Sequence, residues 1–554
     1  MLRKGRTPNM SLLQQLSERK LTESFWSADR SVPIVEYTVG ELLTVRAAEF
    51  PDREAVVGVC HGEGTLTRLT YCELLDQALK VATALARLVE PGDLVALWAP
   101  NVVEWPIIQY GAALAGVVLV ALNPVLREPE LDYALRHCRP ALLLHADASR
   151  DYDMAEVAVR VCAKIPSVEC ISLSDRAIWH SETIDSAVIR CAPKDPKLPV
   201  MLQYTSGTSG RPKAVLLTHH ALVNVAKLTM EAVGVGEGAV CVNPLPLFHT
   251  AGCVIATLGP LWVRGTAVIC EYFVPAAVLM TLCVEAAEVL FYVPAVLDAL
   301  LVHQRASGHQ PPRVSIMLGG ASTVSAELID GASATFRSNV FSVYGQTELA
   351  SVVTATRPAD DRRDRLFSVG RPLPHVDCKI TDPGCGEVLE LGEVGEICVR
   401  GYQQLVSYLH DPEASARILD PDGFVRTGDL GSMDERGFLT VVGRLKELII
   451  RGGENIAPAD IESIVSQHDR IAEVVAIGLP DKRLGEIAVV VCRITDGSMD
   501  GLKASLLEHA RAQLAPFKVP ARWFVAESFP TTSTGKIQRF AIRDAIENGM
   551  LAEL

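Results

Sequence analysis

The chain has 554 residues, enough for at least two folding units, because one hydrophobic core rarely grows past roughly 250–300 residues. Apolar residues make up 49% and charged residues 21%, which excludes a disordered or fibrous chain. With 52 basic and 66 acidic residues the formal net charge is −14, so polyphosphate backbones are repelled at long range and nucleic acid is excluded as the main partner; a small anion needs only one local site.

The N-terminal stretch mixes charges with short apolar runs and lacks a secretory apolar core, and the chain ends Ala-Glu-Leu, which is not a peroxisomal address. The 14 cysteines are scattered, with no Cys-x-x-Cys pair and no histidine cluster beside them. That pattern points to reduced thiols in the cytoplasm and gives no support to a zinc site or a disulfide scaffold.

In chain order, the first long apolar stretch is Trp105–Leu126, 22 residues without a charge and of membrane-span length. Pro106, Gln109, Asn123 and Pro124 interrupt it. The pattern predicts a helix over Ile107–Ala115, a cap at Gly116 and a buried strand over Val117–Leu122, since parallel strands read as near-continuous Val/Ile/Leu runs. Further on, a strand over Val200–Tyr204, a Gly-rich turn, a strand over Ala214–Leu217 and a helix over His220–Ala232 are predicted. This alternation is the α/β pattern, with ligands expected at the carboxyl ends of strands. After about Gly370 the turns at Asp382–Gly386, Gly392–Gly395 and Asp420–Gly423 predict a small β subdomain. Beyond Ile461 a small α+β unit is predicted: helices Asp460–His468 and Leu502–Leu514, and strands Val474–Gly478, Ile487–Ile494 and Ala521–Ala526.

Five segments carry chemistry. In Tyr204-Thr-Ser-Gly-Thr-Ser-Gly-Arg-Pro-Lys213, two glycines free the backbone to turn, four hydroxyls and exposed N–H groups can donate to phosphate oxygens, and Lys213 adds a point charge. It is not a Walker A loop, and a plain Gly/Ser connector has no need of Pro212-Lys213 between strands. Tyr344-Gly-Gln-Thr-Glu348 offers a flat ring for a base and one carboxylate of the kind that holds magnesium together with nucleotide oxygens. Arg426-Thr-Gly-Asp429 reads either as a turn or as a carboxylate for ribose hydroxyls. Gly443-Arg-Leu-Lys-Glu-Leu-Ile-Ile-Arg-Gly-Gly-Glu-Asn-Ile456 lies at the suspected domain joint, and Pro530-Thr-Thr-Ser-Thr-Gly-Lys536 carries one lysine near the end.

Together, and with Pro246-Leu-Phe-His249, Gly319-Gly-Ala321 and Gly392-Glu-Val-Gly-Glu396, these segments resemble the adenylate-forming superfamily of acyl-CoA synthetases, nonribosomal-peptide adenylation domains and firefly luciferase. The resemblance runs from about Leu42 to Arg543, and its details look like the acyl-CoA synthetase branch. It implies an α/β fold in which a large N-terminal domain, residues 1–443, combines α/β subdomains with the small β subdomain. A hinge at 444–447 follows, then a small mobile α+β C-terminal domain, 448–554. It implies ATP, magnesium and CoA. Thr205, Ser206, Gly207, Thr208, Ser209, Gly210 and Lys213 would hold the β and γ phosphates, Thr347 would touch the α phosphate, and Glu348 the magnesium. Gly320, Ala321 and Tyr344 would frame adenine, while Asp429 and Arg444 would bind ribose. Lys536 would act at the bond forming between carboxylate and α phosphate. Lys446 would be the hinge, and Arg451, Gly452 and Gly453 would line a pantetheine tunnel. Ser209 and Ala214 stand where Thr and Gly are commoner in the family.

The acid pocket implied is Phe248, His249, Gly252, Tyr292, Val293 and Gly319, mostly apolar or small, which suits an aliphatic, aryl or alicyclic acid. The acceptor implied is CoA, with Arg451, Lys482 and Arg483 as basic groups for its nucleotide; the alternative is a carrier protein's phosphopantetheine. A luciferase-like oxygenase has no positive support. A non-catalytic binding protein would be expected to have lost Lys213, Glu348, Asp429 or Lys536, and all four are present. Amino-acid-activating members place an Asp just after the aromatic of the Phe248 segment, but here His249, Thr250 and Ala251 follow. Free α-amino acids are therefore expected to give no pyrophosphate exchange above background; robust exchange with any one of them contradicts this reading.

Overall fold

The structure, a computed structural model, describes residues 20–59, 66–205, 212–322, 324–451, 454–481, 483–495, 499–532 and 536–554. Contacts divide the chain into two compact units. The first is Trp26–Cys378 with Val399–Val425. The second is Arg426–Leu554 with residues 20–25 and Lys379–Cys398.

Within the first unit, Leu94–Trp98 (β1) leads to helix Glu104–Ala115 (α1) and strand Val118–Leu122 (β2). This is the charge-free stretch, and it folds as a helix followed by a strand. Gly116 closes α1 in the left-handed region, φ 75°, where a side chain is strained, and its N–H returns to Ala112 O. All five residues of β2 are buried between neighbours, so its apolar run fills a sheet interior. Each fully buried Val or Leu there contributes roughly 1.5–3 kcal/mol. Among the described residues no helix is long and apolar enough to cross a membrane.

Pro199–Thr205 (β3) pairs parallel with β2 and antiparallel with Lys213–Thr218 (β4). Helix His219–Ala232 (α2) follows at once, with Thr218 as its N-cap accepting the Ala221 N–H. Next come Val240–Asn243 (β5), Val289–Tyr292 (β6), helix Pro294–Ser307 (α3), Ile316–Gly320 (β7) and Asn339–Tyr344 (β8). Far along the chain, Ser407–Tyr408 (β9) pairs antiparallel with β4. Two sheets result. One has seven strands in the order β9, β4, β3, β2, β1, Leu142–His145, Glu169–Ser172. The other has nine, in the order Arg371–Pro372, Thr354–Ala355, β8, β7, β6, β5, Thr266–Cys270, Glu54–Val59, Leu66–Thr70. Neighbours from β5 to β8 run parallel, as a βαβ chain demands.

In the second unit, Val425–Met433 (β10) and Leu439–Arg444 (β11) form an antiparallel hairpin. A single 3₁₀ turn, Leu445–Glu447, leads to Ile449–Arg451 (β12). Helix Pro458–Val465 (α4), strands Ile471–Asp481 (β13) and Gly485–Ile494 (β14), helix Leu502–Gln513 (α5), strand Arg522–Val525 (β15) and helix Arg539–Glu547 (α6) complete it. Its helices pack through Ile461, Val465, Leu502 and Leu506 on one cluster and Ile542 and Ile546 on another. The expected helices and strands are present within a few residues of their predicted bounds. The strand expected at Val474–Gly478 is longer because all of β13, from Ile471 to Asp481, zips onto β14.

Gly319 shows how tightly the parallel sheet is built. A Cβ added there would lie 2.0 Å from the Tyr292 carbonyl oxygen of β6, which is backbone and cannot swing aside. Gly319→Ala is therefore expected to destabilise the first unit by about 1–3 kcal/mol. Gly236→Ala, where an added Cβ meets open space, should leave the urea midpoint unchanged.

Candidate active site

The phosphate-loop segment is the connection of the β3–β4 hairpin. Thr205 faces Lys213 across the two strands and closes it. Ser206, Gly207, Thr208, Ser209 and Gly210 lie outside the described residues. Tyr204, at the end of β3, is anchored through its hydroxyl to Ala134 O at 2.9 Å. Lys213 is half-buried, and its ammonium lies 4.4 Å from the centre of the Tyr408 ring.

At the carboxyl end of β8 the chain turns through Gly345 into the 3₁₀ segment Thr347–Leu349. A Cβ on Gly345 would lie 1.9 Å from Ser351 O, so only glycine fits. Tyr344 is half-buried, and its carbonyl receives the Val353 N–H at 2.7 Å. Thr347 is buried, and Glu348 beside it is half-buried. Glu348 Oε1 accepts a hydrogen bond from the Tyr408 hydroxyl at 2.9 Å, and its main-chain carbonyl accepts the Leu405 N–H at 2.8 Å. Burial, reinforced by the Glu348 carboxylate, pushes the Tyr408 phenol far above its ordinary range, so it is protonated and donates. Lys213 and Glu348, from motifs remote in sequence, thus converge on one tyrosine.

Gly320 ends β7 and Ala321 follows it. A Cβ on Gly320 would meet Val343 O at 2.1 Å, whereas Ala321 is exposed and adopts φ 73°. A non-glycine residue in the left-handed region beyond a parallel strand is the kind of strained backbone found at ligand sites.

The acid-pocket candidates fall into two groups. Phe248, His249 and Val293 are half-buried. His249 Nδ1 accepts the Ala251 N–H at 3.3 Å, and its carbonyl accepts those of Gly252 and Cys253. These bonds start a π-helix, Ala251–Ile255, a rare turn often found at functional sites. Gly252 is pinned there, since a Cβ would lie 2.2 Å from Pro246 O. Tyr292 and Gly319 instead belong to the sheet: Tyr292 is fully buried, with its hydroxyl donating to Phe341 O at 3.2 Å. Behind the π-helix, Gln203 donates to Cys253 Sγ at 3.2 Å and Gln109 to Cys253 O at 2.9 Å. Burial pushes the Cys253 thiol up to about 12, so it is no nucleophile.

In the second unit Asp429 and Arg444 are cross-strand partners in the β10–β11 hairpin and form an ion pair, Arg444 Nε to Asp429 Oδ1, at 3.1 Å. Asp429 is buried and Arg444 more open. Lys446 is exposed on the 3₁₀ turn between β11 and β12. Arg451 donates to Phe517 O at 2.5 Å, so at least one arm of its guanidinium is committed to the backbone. Gly452, Gly453 and Lys482 lie outside the described residues; Arg483 is exposed. Lys536 sits where Thr532 N–H meets Lys536 O and Lys536 N–H meets Thr532 Oγ1.

Tyr408, the π-helix and the two glutamines escaped the sequence reading. A lone tyrosine in Leu405-Val-Ser-Tyr-Leu409 carries no motif; the only local signal was a short alternating strand ahead of the Asp411-Pro412 helix start.

This chain belongs to the family described as AMP-binding enzyme, which matches residues 43–409, with the AMP-binding enzyme C-terminal domain matching 460–536. It is 32% identical to YngI of Bacillus subtilis (strain 168), named as an acyl-CoA synthetase, over 92% of this chain and 97% of that protein. It is 29% identical to the medium-chain acyl-CoA ligase ACSF2, mitochondrial, of Rattus norvegicus, over 93% of this chain and 88% of the relative. Among solved structures it is similar to ATP-bound MatB from Rhodopseudomonas palustris, with TM-score 0.79, 28% identity, and 92% of this chain and 99% of that one covered. It is equally similar to the o-succinylbenzoate CoA synthetase MenE from Bacillus subtilis in complex with its acyl-adenylate intermediate, with TM-score 0.79, 27% identity and the same coverage.

A cation that binds phosphate without a carboxylate partner should be worth a charge-assisted hydrogen bond, about 1.5–3 kcal/mol. Lys213→Ala is expected to lower kcat/KM for ATP by roughly 10- to 100-fold while leaving the KM for the acid within about twofold. Unchanged ATP kinetics would remove Lys213 from the site.

Proposed function

We propose that this protein is an AMP-forming acyl-CoA synthetase whose named residues divide the reaction as follows. A carboxylate oxygen of the acid attacks the α phosphorus of ATP, and pyrophosphate leaves. The thiol of CoA, giving up its proton, then attacks the carbonyl of the acyl-adenylate, and AMP leaves. The observation that carries the reading is the convergence of Lys213 and Glu348 on Tyr408, which gathers a cation and a carboxylate around one ring.

Lys213 and the hairpin loop hold the β and γ phosphates; Thr347 meets the α phosphate. Gly320, Ala321 and Tyr344 frame the base, and Asp429 with Arg444 takes the ribose. The donor set fits a hard divalent cation: one carboxylate, with Oε1 taken by a neutral phenol and no hydrogen bond to Oε2 among the described residues. Magnesium held there with nucleotide oxygens would supply charge neutralisation to the departing pyrophosphate. Lys536 stabilises the charge developing between carboxylate and α phosphate. Phe248, His249, Gly252 and Val293 bound an apolar acid pocket, and we extend to it the medium-chain class named for the ACSF2 relatives. CoA is the acceptor, with Arg451 and the glycines after it beside its arm. All thirteen described cysteines are free thiols, which suits the reducing cytoplasm.

Lys446 is the proposed hinge, at 444–447, between residues 1–443 and 448–554. A one-turn 3₁₀ segment between two strands has little packing of its own, and none of its three residues is buried.

The test is pyrophosphate release over acids of graded chain length, with and without CoA, followed by the two half-reactions run separately. Lys536→Ala is expected to slow acyl-adenylate formation by about 10²–10³-fold yet still convert supplied acyl-adenylate and CoA to thioester. Lys446→Pro, with φ locked near roughly −65°, should impair thioester formation far more than adenylation. Normal adenylation by Lys536→Ala, or equal loss in both halves by Lys446→Pro, contradicts the assignment.

A further inference from the structure

Tyr408 stands between the cationic and the acidic motif. Its ring lies 4.4 Å from the Lys213 ammonium, and its hydroxyl donates to Glu348 Oε1 at 2.9 Å. The residue is only 5% exposed, and its backbone is pinned from several directions. Tyr408 pairs with Val215 of β4, Leu409 N–H donates to Ala214 O at 2.8 Å, and Tyr408 N–H donates to Ser415 Oγ at 2.8 Å. The same segment reaches Glu348 through Leu405 N–H. One short edge strand therefore fixes the distance between the strand that carries Lys213 and the turn that carries Glu348.

Two opposite charges this near each other would ordinarily pair. A direct Lys213–Glu348 bridge would spend both charges on each other, and a nucleotide would have to break it. The phenol prevents this without charge of its own. Its π face attracts the ammonium and leaves its N–H groups able to meet phosphate. Its hydroxyl takes one carboxylate oxygen and fixes the rotamer, while Oε2 accepts no hydrogen bond among the described residues. We propose that Tyr408 is a positioning residue that keeps Lys213 and Glu348 from pairing with each other and preset for the phosphates of ATP and their divalent cation. This rests on the functional reading above.

The experiment uses the full chain, with ATP binding measured calorimetrically in the presence and absence of magnesium, magnesium titrations of pyrophosphate release, and thermal midpoints. Tyr408→Phe keeps the ring and removes the hydroxyl. It should raise the magnesium concentration for half-maximal adenylation roughly tenfold, the scale of one lost hydrogen bond to a charged group, with the thermal midpoint and magnesium-free ATP affinity near those of the parent. Tyr408→Leu removes the ring as well and should also weaken magnesium-free ATP binding, about fivefold. In a Glu348→Gln background, Tyr408→Phe should add no further change in magnesium requirement.

A magnesium titration of Tyr408→Phe that overlays the parent overturns the proposal. So does a loss of activity that follows a fall in thermal midpoint with the magnesium requirement unmoved, because that is the mark of a packing role. If Tyr408→Leu does not fold, Tyr408→Phe and the double variant decide the matter. A parent that neither binds ATP nor releases pyrophosphate overturns the functional reading itself, and this inference with it.

Discussion

Strand β4 is held on both sides, and the placing of Lys213 depends on that clamp. On one side β3 fixes its register, with Thr205 opposite Lys213. On the other, β9 arrives from nearly two hundred residues downstream and sets Tyr408 opposite Val215. A strand paired on both edges has little freedom to shift, because a one-residue slip would turn every side chain to the other face. Lys213, at the first position of β4, inherits that rigidity.

The rest of the first unit follows from burying parallel strands on both faces. Strands such as Val118–Leu122 and Val289–Tyr292 have every residue buried, so they cannot bear function along their length. The candidate site residues lie instead at their ends, where the chain leaves the sheet. Tyr344 ends β8, and Thr347 and Glu348 follow it; Gly320 ends β7, and Ala321 follows it; Val293 follows β6. The glycines at 319, 320 and 345 are enforced by neighbouring backbone oxygens about 2 Å from any added Cβ. Their presence in a ligand motif is thus partly a demand of the sheet.

The second unit is organised around a half-buried cation, Arg539. Burial works against the charge of Arg539, but Glu462 and Glu447 raise its pKa above the ordinary value. The guanidinium grips both oxygens of Glu462 at 2.6 and 3.1 Å, donates to Ala476 O at 2.7 Å and reaches Glu447 at 3.2 Å. Bidentate pairing of this kind restores what desolvation removes. It also ties α6, α4 and β13 to the turn that holds Lys446. Any motion about that turn begins from a residue flanked by an anchored neighbour.

Length, composition and local pattern determined the α/β class, the helix-then-strand fate of Trp105–Leu126 and the segments proposed to bind nucleotide, because periodicity, caps and glycine-rich turns act over a few residues. Gly116 announces a left-handed cap, and Gly-Arg-Pro-Lys213 announces a charged turn, wherever they are placed. The tertiary structure alone decided which remote residues meet. Nothing in a lone tyrosine reveals that β9 will pair with β4 and carry Tyr408 between Lys213 and Glu348. Nothing in Tyr292 reveals that its hydroxyl is spent on Phe341 inside the sheet. The π turn at Ala251–Ile255 and the burial of Gln203 and Gln109 behind it likewise depend on neighbours far along the chain. Local bonding rules can be read along a sequence, whereas pairing between distant segments is settled by the collective burial of both sheets.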